Sequence, residues 1–258
     1  MTTSITETKK TRRGGVKIWA VAFWLIVWQL AAMAVKQEIL LVSPVSMLER
    51  WFELIKTADF WGRVGFTSLR IMKGLFLGAL VGSVLGVVAG KVRFVRDLFA
   101  PVISVIRAIP VASFIILAIW WMGEGALSTF ISFMICLPVF YTNLLTGTAQ
   151  SDHELLEMAK IFRLGPVRRF RYVFVPQVFP FLKAAFNVSI GLAWKSGTAA
   201  ELITVPTGSI GELLHQARIF LETADNLAWA FTIILLSLSF EMLIRLDLNA
   251  VGRVLEGK

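Results

Sequence analysis

Three ionisable side chains stand where an apolar chain ordinarily excludes them: Arg107, Lys195 and Glu201 each lie within a run of aliphatic and aromatic residues. A charge at the bilayer centre costs about 2.5–3.5 kcal/mol on insertion scales, so such groups are expected to face a protein interior or a water-filled path. The chemistry they offer is electrostatic reception of an ion. With Pro110 and Trp121, they are the candidate residues of a solute pathway. In "GLAWKSGTAAELI", Lys195 and Glu201 are six residues apart, about 240° around a straight helix, and pair only if the helix breaks at Gly197. The competing expectation for Arg107 and Glu201 is that they lie near helix ends and reach the interface along their own stems. Nothing convergent enough for acid–base or nucleophilic catalysis accompanies these groups, which argues against an enzyme. His153 and His215 lack ligand-spaced partners, and Cys136 is the only cysteine, so neither a metal set nor an internal disulfide is expected.

The elements that must hold these groups are set by hydropathy. Hydrophobic residues form 57% of the 258, and mean hydropathy is +0.74. Soluble domains run nearer 45–50% apolar. The net charge of +9 would suit nucleic acid, but the cations cluster between apolar runs, as the flanks of membrane helices do. A crossing helix needs about 20 apolar residues. Six segments qualify or nearly qualify, at 17–35, 68–90, 101–122, 126–148, 181–204 and 227–246. The first follows "KKTRRGGVK" and ends in "AAMA", which resembles a signal-peptide cleavage site, but its apolar run exceeds a signal core and predicts an uncleaved helix. The expectation is an all-α, polytopic membrane protein. A basic tail at 1–16 precedes a membrane domain at 17–258, and a cytoplasmic loop spans about 149–180.

Loop charge orients the bundle. With the N-terminus inside, the inner segments hold Lys9, Lys10, Arg12, Arg13, Lys17, Lys91, Arg93, Arg96, Lys160, Arg163, Arg168, Arg169, Arg171, Arg253 and Lys258. The outer segments hold only Lys36, Arg50, Lys56, Arg63 and Arg218, so both termini are expected in the cytoplasm. "VSPVSMLERWFELI" then reads as a capped amphipathic helix on the outer interface.

Gly74, Gly78, Gly82, Gly86 and Gly90 recur every four residues along the second segment. Glycine costs helix propensity, so five in register predict a smooth face that a neighbouring backbone approaches, either as a static contact or as a sliding surface. Pro110 and Pro138 each predict a kink. "GVVAGKV" has neither the glycine spacing nor the Ser or Thr of a phosphate loop, so no nucleotide site is encoded there.

"ELLEMAKIFRLGPVRRFRYVFVP", Glu154 to Pro176, breaks the apolar pattern with five cations. It predicts two helices separated at Gly165-Pro166. Leu155, Met158, Ala159 and Phe162 fall on one side of the first; Glu154, Glu157 and Lys160 lie around the other. The pair either rests on anionic lipid or docks another protein.

This segment resembles the "EAA" loop of permease subunits of bacterial ABC importers. Glu157-Met158-Ala159 stands at its start and Val173-Phe174-Val175-Pro176 at its end, in register. The pattern's glycine falls on Arg163, and Gly165, two residues on, is expected to take over the turn. "VSPVSML", "TSLRIMKGLFLGALVGSVLGVVAG", "PVISVIRAIPVASFIILAIWWMG" and "GLAWKSGTAAELI" resemble, in order, segments of the nitrate, sulfonate, taurine and bicarbonate type permeases; Ile116 stands where a second proline is frequent. The resemblance implies a type I ABC importer permease fold with six crossings and no cofactor of its own. It implies a cytoplasmic ABC ATPase subunit that uses ATP, a second permease subunit (most simply another copy of this chain) and an extracytoplasmic substrate-binding protein. The loop residues Glu157, Met158, Ala159, Arg163, Gly165 and Pro176 become the ATPase-coupling positions. The solute is expected to be a small anion such as a sulfonate, nitrate or bicarbonate. The alternatives are a pyrimidine or vitamin precursor carried by the same family, or a channel or scaffold subunit.

Overall fold

In the computed structural model, which describes residues 18–255, every regular element is helical. In chain order these are α1 (Ile18–Val35), α2 (Pro44–Leu54), α3 (Ala58–Lys91), α4 (Arg93–Ala108), α5 (Val111–Ala149) and α6 (His153–Ile161). They are followed by the single turn α7 (Pro166–Arg169), a π-helical turn (Phe170–Phe174), α8 (Val175–Thr204), α9 (Ile210–Ile219) and α10 (Thr223–Leu255). The basic tail at 1–16 lies outside the described residues.

Five helices among the described residues are long and apolar enough to cross a membrane: α1, α3, α5, the run from Pro166 to Thr204, and α10. The remaining predicted crossing, 101–122, is not one helix. Ile109 and Pro110 take extended backbone, so α4 ends there and Pro110 caps α5 instead of kinking a continuous helix. Gly123, at φ 69°, then breaks α5 between its 111–122 and 124–149 arms. Ile115 clusters with Leu127 and Ile131, and Ile103 of α4 with Leu137 and Tyr141. Rising numbers on one side meet falling numbers on the other, so α4 and the 111–122 arm return antiparallel along the 124–149 arm. The third pass is therefore present as two short helices hinged at Pro110.

The core is the contact of α3, α5 and α8, built around Ile71, Leu75, Phe140, Ile190 and Trp194. The glycine stripe of α3 lies against α5. A Cβ on Gly82 would sit 2.6 Å from the Leu137 carbonyl, and one on Gly86 2.6 Å from that of Tyr141. At Gly78 it would meet the Cys136 Cβ at 2.8 Å, at Gly90 the Thr148 Cβ at 2.6 Å, and at Gly74 the Ser132 Cβ at 2.6 Å. Backbones this close gain dispersion contacts that lipid cannot supply. By contrast, α1 is apolar all round and exposed along most of its length, as a lipid-facing helix is. It is tied to the rest by the Trp28 indole N–H, which donates to the Val42 carbonyl at 3.0 Å.

At the end of the bundle that carries α9, short amphipathic helices close the structure. α2 starts as its sequence predicts, with Ser43 accepting from the Ser46 N–H and Pro44 in the first turn. Arg50 then pairs with Asp225 at the start of α10. Arg63 of α3 donates to Glu212 of α9 at 2.7 Å, and Glu212 also accepts from the Gly208 N–H at 2.8 Å.

Candidate functional site: the charged loop and the groove beside it

The loop between α5 and α8 is built by its caps. Asp152 accepts from the amides of Glu154 (2.8 Å) and Leu155 (3.3 Å), which starts α6. The Asp152 amide donates to Gln177 at 2.6 Å, tying the loop to the base of α8. At the other end, the Leu164 N–H donates to Ala159 O at 3.0 Å and the Arg163 N–H to Lys160 O at 2.9 Å, a Schellman closure. The residue that carries the left-handed backbone of this closure is Arg163, at φ 53°. Gly165 does not take over the turn: its φ is −58°, and it serves as the N-cap before Pro166. The bend stays at the position where the permease pattern has glycine, because helix closure fixes the left-handed residue directly after the cap.

The faces of α6 also differ from expectation at one residue. Ala159 is only 4% exposed, and Leu156, three residues before it, packs against the cluster of Phe174 and Val178. Leu155, Met158, Ile161 and Phe162 face outward as an exposed apolar ridge, with Ile161 77% exposed. Glu157 and Lys160 line a groove with Lys91, Thr148, Ser151 and Arg169. Pro176 is half-buried in the first turn of α8, directly after the π turn; its missing N–H interrupts the helical ladder there.

The pathway candidates separate into two environments. Arg107 is exposed and lines an open groove of about 430 Å³ with Ile106, Met134, Pro138, Thr142 and Leu192. Lys195 is exposed three residues beyond Leu192, on the same side of α8, which runs unbroken through Gly197. Pro110 lies at the hinge between Ile109 and Val111, both of which line that groove. Trp121 is 78% exposed beside the Gly123 break.

Glu201 is fully buried, so it does not reach the interface as its position near a helix end would allow. Its carboxylate accepts from the Thr67 hydroxyl at 2.8 Å and lies 4.0 Å from the Arg70 guanidinium. Thr67 in turn accepts from the Ile210 N–H at 3.0 Å, which docks the start of α9. Arg70 donates to the carbonyls of Glu124 (2.8 Å) and Gly125, just past the α5 break. One buried ion pair thus joins α3, α5, α8 and α9. Sequence reasoning missed Arg70 and Thr67. The available signal was Arg70 itself, a cation inside "TSLRIMKG" that needs a buried acid.

Residues 78–248 match the family described as binding-protein-dependent transport system inner membrane component. The chain belongs to that family and is a membrane permease subunit of an ABC importer. Among individual relatives, it is 25% identical over 244 residues to the taurine transport system permease protein TauC of Escherichia coli, covering 91% of this chain and 88% of that protein. It is 27% identical over 208 residues to the nitrate import permease protein NrtB of a Synechocystis strain, covering 77% of this chain and 74% of that protein.

Proposed function

We propose that this permease carries a small anion inward, driven by a cytoplasmic ATPase that grips α6. The observation that carries this reading is the α6 ridge. Leu155, Met158, Ile161 and Phe162 are exposed on a helix fixed at both ends, and no element of the described chain covers them. Exposed apolar surface rimmed by charge is suited to docking protein. The cations Lys91, Arg93, Arg96, Lys160, Arg168, Arg169 and Arg171 gather at that end, and the positive-inside rule supports the reading that it and both termini face the cytoplasm. A second permease subunit completes the pathway, and an extracytoplasmic binding protein delivers the solute. The hydrolytic site lies in the ATPase partner, and this chain works as a transmission: motion at α6 passes through the Asp152–Gln177 contact into α8 and then to α5 and α3.

The anion reading rests on the relatives named for taurine and nitrate and on Arg107 and Lys195 beside the groove. In a cell that depends on the importer, deleting residues 157–165 or making Glu157→Lys should abolish uptake while the bundle still inserts and purifies. Uptake at the wild-type rate would refute the coupling role. Arg107→Ala and Lys195→Ala should each slow anion uptake without loss of the protein from the membrane. Unchanged uptake by both would remove the anion assignment.

A further inference from the structure

The groove behind α6 has features that docking and transmission do not use. It encloses about 490 Å³ between α6, the π turn and the ends of α3 and α5. Lys91, Lys160 and Arg169 line it against a single acid, Glu157, giving three positive charges to one negative. None of the three cations makes an ion pair among the described residues. Lys91 is held over the Phe174 ring, 4.2 Å from its centre, and Phe170 and Phe174 form an apolar wall. The Thr148 hydroxyl, on a residue 6% exposed that lines the same groove, has no hydrogen-bond partner among the described residues. A buried hydroxyl without a partner is unfavourable, and a ligand oxygen would relieve it. Three unpaired cations and an unused donor beside aromatic rings define a site for a compact anion with several acceptor oxygens.

We propose that this groove binds a phosphate group. It lies at the membrane-boundary ends of α3 and α5, where a phosphate is presented by an anionic phospholipid whose chains run along the bundle. Inorganic phosphate is the other source of the same chemistry. That the headgroup comes from the inner leaflet rests on the orientation proposed above; binding measured in detergent does not.

Native mass spectrometry of the full chain in detergent tests the site, with phosphatidylglycerol, phosphatidylcholine and inorganic phosphate as probes. Phosphatidylglycerol should be retained over phosphatidylcholine. Each charge removed by Lys91→Gln or Arg169→Gln should weaken it about fivefold. Thr148→Val should weaken it as well, although removing an unpartnered hydroxyl leaves the fold as stable or more so. Displacement by phosphate assigns the site to the free anion also; resistance to it assigns the site to lipid alone. Equal retention of phosphatidylglycerol by the wild type, Thr148→Val and the charge variants, with no phosphate bound, would overturn the proposal.

Discussion

Arg163 occupies the left-handed region, at φ 53°, without the freedom glycine has there. For an L-residue that conformation costs about 1 kcal/mol or more. Arg163→Gly should therefore stabilise the end of α6 by roughly that amount, read as slower hydrogen exchange at the Leu164 amide, which donates to Ala159. Arg163→Ala keeps the Cβ and should give no such gain. At the buried pair, Glu201→Gln removes the counter-charge of Arg70 and should destabilise the chain by about 3 kcal/mol, the usual cost of stranding a buried charge. Replacing both Arg70 and Glu201 by Leu should recover much of that loss in thermal unfolding. Glu212, outside the crossings, titrates differently. Burial pushes its carboxyl up, but the Gly208 amide and the Arg63 guanidinium outweigh burial and hold it below its ordinary 4.5. A depressed carboxylate stabilises the folded state above the unfolded pKa, and the contribution is lost as pH falls through the folded value. Unfolding temperature should thus drop below about pH 4.5 in the wild type and less in Glu212→Gln.

The helices show which periodicities are readable in a chain and which are not. The four-residue glycine spacing names the face of α3 that lies on α5, because close backbone approach needs small residues on one line. Gly82→Ala forces a methyl to within 2.6 Å of the Leu137 carbonyl and should cost about 1–3 kcal/mol. Gly65→Ala, on the same helix with nothing within 4 Å, should instead stabilise by up to about 1 kcal/mol through helix propensity. Comparing the two unfolding temperatures separates packing from propensity. Hydropathy alone set the start of the second crossing near residue 68, whereas α3 begins at Ala58. The difference arises because Arg63 is also neutralised by Glu212, 149 positions away, a partner that a local window does not contain. Likewise, the Ile109–Pro110 hinge splits a stretch that reads as one apolar run, and the pairing of Arg70 with Glu201 joins residues 131 positions apart.

For the molecule as a whole, the membrane bundle and the charged loop were legible because each is a composition contrast: apolar runs against a basic insertion. The burial of Ala159 and the left-handed Arg163 were not, since both depend on how α6 closes against the body of the bundle. On the function proposed above, that short helix is where work from a partner ATPase enters the chain. The most direct measurement is a photo-cross-linker placed at Ile161 or Phe162 in the assembled importer in native membranes. A cross-linked product between this chain and an ATPase subunit is expected, formed from the cytoplasmic side and lost with Glu157→Lys. A product formed only with lipid, or labelling of those positions from outside the cell, would contradict it.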